Sequence, residues 1–518
     1  MWADENVLSY TPMVKAFRER LLEDPSRPGY HFTIPEALAQ PGDPNGAFFA
    51  SGRYHLMYLY RHEERGFCWG HMSSTDLLHW RHHPDALVPS SDCKGCYSGG
   101  AFVDHDGKAY LSFWDFVPSE DDYGAMRIAV SQGPPYEQWT VLPGFVTKND
   151  VAVGATSIID SDGRKTPISA ADPSNIWKKD DLYYLQAGNL GVLGNYGRGE
   201  DAPPEFRGDW TDLYVSQDME NWRYLHRFYR RNTENLWTDE SEDDMCPSFL
   251  PLPLSRTGGE MSGKYLQLFI SHNRGCQYYI GEYDREKDLF LPEHHGRMTW
   301  VDNTYFAPEA LIDGQGRQIM WAWLGDDPEN TEKTGWSGVY GLPRTLWYDA
   351  AEHTLGIAPV PELKNLRLNP THFLPGTLEN EIFELKGVEG LSCEIDIEAV
   401  LSAGTRAGIR VRMSDDGEEY TDILYDADNS ELLMDTRKGT TEGRPILEVA
   451  PLRLREGELL HLSVFIDKSV VEVYANDRQA ICRRVYPQKC GTRLALLCDG
   501  VSRFGSVRVW EMAPSCPY

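Results

Sequence analysis

The hydrophobic positions of this chain fall into short runs with the two-residue alternation of β-strands. Aromatic and β-branched residues dominate these runs, and Asp-Gly, Asp or glycine-rich turns separate them. The clearest runs are Tyr54–Tyr60, Ala109–Trp114, Leu182–Gln186, Tyr265–Ile270 and Gln318–Trp323. A helical spacing is clear only over Met13–Leu22. The pattern therefore predicts an all-β protein with one helix ahead of its strands.

Three segments share a recurring arrangement of a serine, a polar turn and a tryptophan. They lie at Ser73–Trp80, Ser131–Trp139 and Ser216–Trp222. The blades of a β-propeller pack by repeating the same aromatic contact, so a tryptophan that returns once per strand set favours this architecture.

The strands of the C-terminal part follow a different pattern. From about Glu379 they succeed one another at short intervals without helical spacing, which is typical of a β-sandwich. The proline-containing stretch Ile357–Asn369 ahead of them indicates a linker. We therefore predict an N-terminal helical extension over residues 1–30, a β-propeller over 31–360, a linker over 361–378 and a β-sandwich over 379–518.

Charge and composition exclude several classes of partner. The 518 residues include 50 Lys plus Arg against 79 Asp plus Glu, a net charge of −29, which argues against nucleic acid and anionic membranes. No run of about 18 apolar residues occurs, and the N-terminus lacks the pattern of a secretory leader, so we expect a cytoplasmic location. Only Cys93 and Cys96 form a CxxC pair, and we expect neither a metal nor a cofactor.

Several carboxylates stand beside prolines and turn formers. A proline holds the residue before it in an extended conformation, which can fix a catalytic carboxylate but also builds ordinary turns. Glycoside hydrolysis needs two carboxyl groups and aromatic side chains that stack on sugars. The candidates are Asp43 in GDPNG, Asp172 in AADPSN, Glu242, Asp243 and Asp244 in ESEDDMCP, and Glu309 in YFAPEA.

Taken in order, these motifs resemble glycoside hydrolase family 32, the β-fructofuranosidases. The resemblance runs through GDPNGAFFASGRYHLMYLY, CYSGGAFVDHDGKAYLSF, ADPSNIWKKDDLYYLQAG, DLYVSQDMENW and YFAPEALIDGQGRQIMWAWLGD. The segment SVVEVYANDRQAICRRVYP resembles the sandwich domain of the same family, and the likeness spans roughly residues 31–515. It implies a five-bladed β-propeller followed by a β-sandwich, and a retaining mechanism through a fructosyl-enzyme.

The resemblance also implies roles for individual carboxylates. Asp43 matches the family nucleophile and Asp172 the residue that stabilises the transition state. The acid/base glutamate of the family stands immediately before Cys-Pro, where this chain has Met245, which cannot donate a proton. Our first choice for the acid is Glu242, whose longer side chain could reach the site. The strand period favours Asp243 as an alternative, because it shares a face with Met245; Asp244 and Glu309 also remain open.

Further positions of the motifs would line a sugar pocket by the same resemblance. They are Asn45, Trp69, Tyr97, Ser98 and Glu309. Other positions depart from the family pattern: Gln40-Pro41-Gly42 replaces Trp-Met-Asn, Ala171 replaces an arginine and Thr304 an aspartate.

We therefore predict a hydrolase that cleaves terminal β-fructofuranosyl linkages of sucrose, fructo-oligosaccharides or fructans by a retaining double displacement. The expected partner is a small-molecule or oligosaccharide fructoside. The alternatives are a fructosyltransferase that acts on an unusual fructoside, and a catalytically inactive protein that binds one.

Overall fold

Nearly all regular structure in this computed structural model is β-strand, as predicted. The structure describes residues 15–16, 18–34, 42–117, 124–150, 154–190, 206–231, 234–326, 335–440 and 443–515. A helix covers residues 15–16 and 18–23; residues 13, 14 and 17 of the predicted helix lie outside the described part. None of the helices within the described ranges has the length and apolar character needed to span a membrane.

Five antiparallel sheets form the blades of a β-propeller. The four strands on the main hydrogen-bonded path of each blade follow chain order from the inner edge outward, and three blades have one further short strand paired alongside that path. Blade 1 comprises β1 (Pro44–Ala50), β2 (Arg53–His62), β3 (Gly66–Ser74) and β4 (Trp80–Leu87). Blade 2 comprises β5 (Ala101–Val103), β6 (Ala109–Phe116), β7 (Gly124–Ser131), β8 (Thr140–Val141) and β9 (Thr147–Lys148). The hairpin of β10 (Ala155–Ile159) and β11 (Lys165–Ser169) separates blade 2 from blade 3.

The remaining three blades repeat this plan. Blade 3 comprises β12 (Ala171–Pro173), β13 (Trp177–Lys179), β14 (Leu182–Gly188), β15 (Trp210–Ser216) and β16 (Trp222–Arg230). Blade 4 comprises β17 (Met245–Pro253), β18 (Met261–Ser271), β19 (Gly275–Asp284) and β20 (Leu289–Arg297). Blade 5 comprises β21 (Tyr305–Ile312), β22 (Gln318–Leu324), β23 (Val339–Tyr340), β24 (Arg344–Asp349) and β25 (Thr354–Pro359). The inner strands surround the axis, where β1 contacts β5 and β21, and β17 contacts β12 and β21.

The serine–turn–tryptophan segments occupy equivalent places in blades 1, 2 and 3. Each one connects the third strand on the hydrogen-bonded path of its blade, β3, β7 or β15, to the fourth. Each turn also contains one residue in the left-handed region: Leu77, Tyr136 and Met219 have φ of 66°, 61° and 67°. The repeat that the sequence indicated is thus the outer turn of a propeller blade.

The C-terminal domain is one strongly curved sheet of eleven strands that forms a nearly closed β-sandwich. Its strands are β26 (Arg367–Phe373), β27 (Gly376–Glu384), β28 (Ser392–Leu401), β29 (Arg406–Met413), β30 (Thr421–Asp426), β31 (Glu431–Asp435), β32 (Leu447–Pro451), β33 (Leu460–Asp467), β34 (Val470–Ala475), β35 (Gln479–Arg484) and β36 (Arg493–Met512). The 20-residue strand β36 pairs with β26, β27, β28 and β29 and holds the sheet together.

The linker predicted over residues 361–378 is shorter in the structure. A 3-10 helix spans Pro361–Leu366, and β26 then begins directly at Arg367 and pairs with β36. The prolines that suggested a linker, Pro359 and Pro361, lie at the end of β25 and the start of the 3-10 helix. Pro370 lies within β26 at a β-bulge where Asn369 has φ 46°. A bulge tolerates a proline inside a strand, so the sandwich starts about ten residues before the predicted boundary.

A buried polar network joins the two domains. Arg344 of β24 donates hydrogen bonds to Glu472 of β34 at 3.2 and 3.0 Å, and both side chains are fully buried. Burial alone would raise the pKa of Glu472, yet the charges of Arg344 and His31 hold it at about 2. The backbone amides of Tyr30 and His31 each donate to Asp467 at 2.8 Å, so the N-terminal segment is part of the same contact. This network holds the propeller and the sandwich in a fixed arrangement.

Candidate active site

Four of the five inner strands begin with a β-bulge. The pairing register slips between Asn45 and Phe48, Ala171 and Pro173, Met245 and Ser248, and Phe306 and Glu309. One residue at each bulge has a positive φ: Gly46 (53°), Asp172 (29°), Cys246 (50°) and Ala307 (46°). Bulges redirect the side chains beside them, and left-handed conformations at non-glycine residues are strained and concentrate at functional sites.

Asp43 immediately precedes β1, and groups from three blades hold it. The Ser98 hydroxyl donates a hydrogen bond to Asp43 Oδ2, and Cys246 Sγ lies 3.6 Å from the same oxygen. The Asn45 amide donates to the Asp43 carbonyl at 3.2 Å, and its oxygen accepts from Gly99 N at 3.1 Å. Burial raises the pKa of Asp43, while Ser98 and Cys246 oppose that rise. These contacts fix one face of the carboxylate and leave the group free to act as a nucleophile.

Asp172 is the second carboxyl of the site, and a shared thiol places it beside Asp43. Cys246 Sγ lies 3.5 Å from Asp172 Oδ2 and 3.6 Å from Asp43 Oδ2. The sum of these two distances is the largest separation that the two carboxyl oxygens can have. Burial and the negative charge of Asp43 raise the pKa of Asp172 to about 7. Near neutral pH, therefore, Asp43 is the ionised member of the pair and Asp172 keeps its proton for part of the time.

Glu242 lies away from this pair. Arg297 of β20 donates to both of its carboxylate oxygens, at 2.9 and 3.0 Å, and Gln277 donates to one of them at 2.9 Å. Both oxygens therefore accept hydrogen bonds from the guanidinium and are turned toward blade 4 partners. This placement argues against Glu242 as the acid. No sequence pattern indicated this ion pair, because Arg297 reaches Glu242 only through the fold of blade 4.

Asp244 and Glu309 also serve other contacts. Asp244 accepts hydrogen bonds from the Tyr229 hydroxyl and, at 3.2 Å, from the Gln267 amide, and burial raises its pKa well above the ordinary value. Glu309 accepts a hydrogen bond from Ala47 N at 2.7 Å, which ties β21 to β1 across the ring. Burial raises the pKa of Glu309 as well. In the described part of the chain neither carboxyl hydrogen-bonds to Asp43 or Asp172.

Asp243, the last of the candidate carboxylates, is paired with His272. It is fully buried and accepts two hydrogen bonds from His272, from the backbone amide at 2.9 Å and from ring Nδ1 at 2.7 Å. His272 occupies the turn between β18 and β19. Burial lowers the pKa of His272, but Asp243, Asp172 and Asp43 outweigh that effect and raise it. Sequence reasoning missed His272, although the period-two argument did point to its partner Asp243.

The aromatic candidates divide into core and rim. Trp69 is completely buried, and its indole donates to the Tyr97 carbonyl at 3.2 Å, so it supports the wall of the site. Tyr97 is half-buried, and burial together with the charges of Asp172 and Asp43 raises its pKa to about 12. Across the site, Phe306 lies 5.9 Å from His272, centroid to centroid. The sequence singled out Tyr97 but not Phe306.

In the residues that the structure describes, no cluster of His, Cys, Asp and Glu could hold a metal ion. The described site thus offers a buried carboxylate, a second carboxyl of raised pKa, an imidazole and an aromatic rim, at the end of a propeller axis. Paired carboxyl groups of different pKa beside aromatic rings are the working parts of a glycosidase.

Comparison with known proteins agrees with this class. Residues 31–359 match the glycosyl hydrolases family 32 N-terminal domain, and residues 362–511 match the family 32 C-terminal domain. The chain therefore belongs to glycoside hydrolase family 32 and is a glycosidase.

Three relatives illustrate the likeness. A fructan 1-exohydrolase of Bromus pictus is 27% identical over 89% of this chain and 81% of its own length. The insoluble isoenzyme 4 of β-fructofuranosidase from Oryza sativa subsp. japonica is 26% identical over 94% of this chain and 88% of its own. Fructan 1-exohydrolase IIa of Cichorium intybus, in a crystal structure with 1-kestose, superposes with a TM-score of 0.77 at 21% identity, covering 95% of this chain and 98% of that one.

Proposed function

We propose that the protein hydrolyses terminal β-fructofuranosyl linkages of sucrose, fructo-oligosaccharides or fructans by a retaining double displacement. The observation that carries this proposal is the Asp43 carboxylate, which Ser98 and Cys246 hold beside Asp172 at the propeller axis. The relatives named as fructan exohydrolases and β-fructofuranosidases support the choice of fructoside. A cytoplasmic location stays a prediction.

In this proposal Asp43 attacks C2 of the fructosyl unit and forms a covalent ester. Its carboxylate must be ionised, so activity falls as pH drops through its raised pKa. Asp172 carries a proton for part of the time near pH 7 and can both donate to and accept from the sugar hydroxyls. Tyr97 and Phe306 are the rings available to stack on the sugar.

Two alternatives follow from specific features. Transfer to a sugar instead of water uses the same fructosyl-enzyme and differs only in the acceptor. The inactive-binder alternative rests on Met245, because a thioether cannot protonate the departing sugar.

The test is incubation of the purified protein with sucrose, 1-kestose, inulin and levan, followed by chromatography of the products. We expect free fructose, and a loss on the order of 10⁴-fold or more in Asp43→Asn. Asp106→Asn, in the exposed β5–β6 turn, is the matched control and should keep full activity.

Products longer than the substrate would show that the protein is a fructosyltransferase and not a hydrolase. If no substrate gives a product, and calorimetry shows fructose binding that survives in Asp43→Asn, the protein is an inactive binder. Equal activity in Asp43→Asn and wild type would remove Asp43 from the mechanism.

A further inference from the structure

Cleavage of a glycosidic bond between two sugars needs a proton donor for the departing oxygen, and position 245 does not supply one. Met245 is buried, and its thioether has no proton. The other carboxyls near it are engaged elsewhere: Glu242 by Arg297, Asp244 by Tyr229 and Gln267, and Glu309 by the β1 backbone. Asp172 also carries a proton for part of the time, but in the proposed function it binds the sugar hydroxyls. The reaction therefore either has no acid or uses a different kind of side chain as the acid.

His272 is the remaining proton-carrying side chain whose charge acts on both Asp43 and Asp172. Three contacts fix its position. Its backbone amide and its Nδ1 both donate to Asp243, and its carbonyl accepts from the Asn303 amide at 2.7 Å. The edge-on contact with Phe306 restricts rotation of the ring. With Nδ1 committed to Asp243, the other ring nitrogen, Nε2, has no protein hydrogen-bond partner in the described part of the chain.

The charges around the ring favour the protonated form. Asp243 faces it from the loop before β17, Asp172 from β12 and Asp43 from the start of β1, and the Cys246 thiol stands between the last two. The three carboxyls together raise the pKa of His272 against the opposing effect of burial. The side chain is 31% exposed, so a substrate or a water molecule can reach it.

We infer that His272, oriented by Asp243, is the acid/base catalyst of this enzyme and performs the task that Met245 cannot. The inference rests on the proposed fructoside hydrolysis. An imidazole suits the role because its ordinary pKa lies near neutral pH, where both its protonated and its neutral form are accessible.

The steps balance with these residues alone. In the first step the imidazolium gives the Nε2 proton to the glycosidic oxygen, the C2–O bond breaks, and an Asp43 oxygen bonds to C2. The departing sugar leaves as an alcohol and His272 is neutral. In the second step His272 takes a proton from a water whose oxygen bonds to C2. The ester bond to Asp43 then breaks, which restores the carboxylate and the imidazolium.

The test compares two substrates whose leaving groups need acid to different degrees. The leaving group of sucrose is glucose, whose anomeric oxygen must be protonated as it departs. p-Nitrophenyl β-D-fructofuranoside instead releases a phenolate that needs little protonation. In His272→Gln and His272→Ala we expect kcat/KM to fall by about 10²- to 10⁴-fold on sucrose. On the aryl fructoside we expect a fall of less than about tenfold, because its bond cleavage does not depend on the acid.

His294→Gln is the matched control. His294 is also a partly buried histidine of blade 4, but it lies on the outer strand β20 and its Nε2 contacts Thr354. It should keep wild-type rates on both substrates. Added azide should raise kcat of His272→Gln on the aryl fructoside, because azide attacks the fructosyl-enzyme without a base.

The possible failures can be told apart. Wild type that releases nothing from either substrate would overturn the proposed hydrolysis itself. Active wild type with unchanged sucrose cleavage in both His272 variants would overturn only the inference. Equal losses on both substrates, with unchanged thermal stability, would also overturn it, since a structural defect does not distinguish leaving groups. If both His272 variants misfold, the pH dependence of kcat/KM of the unsubstituted enzyme on the two substrates decides. The inference expects an alkaline limb on sucrose and none on the aryl fructoside, and an alkaline limb shared by both substrates would overturn it.

Discussion

The charge of Asp243 should set the alkaline limit of activity. Asp243→Asn keeps an acceptor for the Nδ1 hydrogen of His272 but removes the negative charge 2.7 Å from the ring. A hydrogen bond to a charged partner contributes about 1.5–3 kcal/mol, and about 1.36 kcal/mol corresponds to one pKa unit. Because the asparagine still hydrogen-bonds, we expect the pKa of His272 to fall by about one unit.

The sign of the pH effect follows from the role of the imidazolium. The acid form of His272 exists below its pKa, so activity declines as pH rises through that value. Asp243→Asn lowers the pKa of His272 and should move the alkaline limb of the kcat/KM profile on sucrose to lower pH. The acidic limb depends on Asp43 and should move little.

The assay is the pH dependence of kcat/KM for wild type, Asp243→Asn and Glu242→Gln. Glu242→Gln is the matched control, because it makes the same carboxylate-to-amide change one residue away without touching His272. If the alkaline limb stays in place in Asp243→Asn, or moves equally in Glu242→Gln, the charge of Asp243 does not set the alkaline limit of activity.

Three further predictions follow from other contacts. Ser98→Ala removes a hydrogen bond that lowers the pKa of Asp43, so the acidic limb of the kcat/KM profile should move up by about one unit; an unmoved limb would contradict this. Glu472→Gln leaves Arg344 buried without its charge partner and should lower the free energy of unfolding by about 3–5 kcal/mol. Calorimetry measures this loss, and a change below about 1 kcal/mol would contradict the prediction. Phe306→Ala should raise KM for sucrose about tenfold with kcat nearly unchanged, and the reverse pattern would place the ring outside the sugar pocket.

The stability that Glu472 contributes should also depend on pH. Its pKa is held at about 2 in the folded protein, below the ordinary 4.5. A carboxyl whose pKa is lowered by folding stabilises the protein above its unfolded pKa, and that contribution is lost as pH falls toward the folded value. Acid unfolding of wild type should therefore steepen between about pH 4.5 and pH 2, and Glu472→Gln should lack this component.

Local patterns predicted much of the fold. Strand alternation and the serine–turn–tryptophan repeat depend on neighbouring residues, so both could be recognised before any contact was known. The same local reasoning selected Asp43 and Asp172 as candidates, because each stands in a short motif beside a proline. The predicted linker was too long, because a sequence pattern does not show that β36 can pair with a strand containing a bulge at Pro370.

The acid could not be found by local reasoning. Glu242 was chosen because its longer side chain could reach the site, but its partner Arg297 lies 55 residues further along the chain. His272 lies 29 residues after Asp243, in a turn of a different strand pair. The hydrogen bonds that disqualify the first residue and favour the second exist only once blade 4 has folded.

Mass spectrometry of the covalent intermediate tests the account most directly. His272→Gln should form the fructosyl-enzyme readily from p-nitrophenyl β-D-fructofuranoside but hydrolyse it slowly, because the base for the second step is missing. Acid quenching followed by peptic digestion should therefore reveal a peptide that contains Asp43 and carries the mass of one added fructosyl group. Release of p-nitrophenol without any labelled peptide, or a label on the peptide that contains Asp172, would contradict the account.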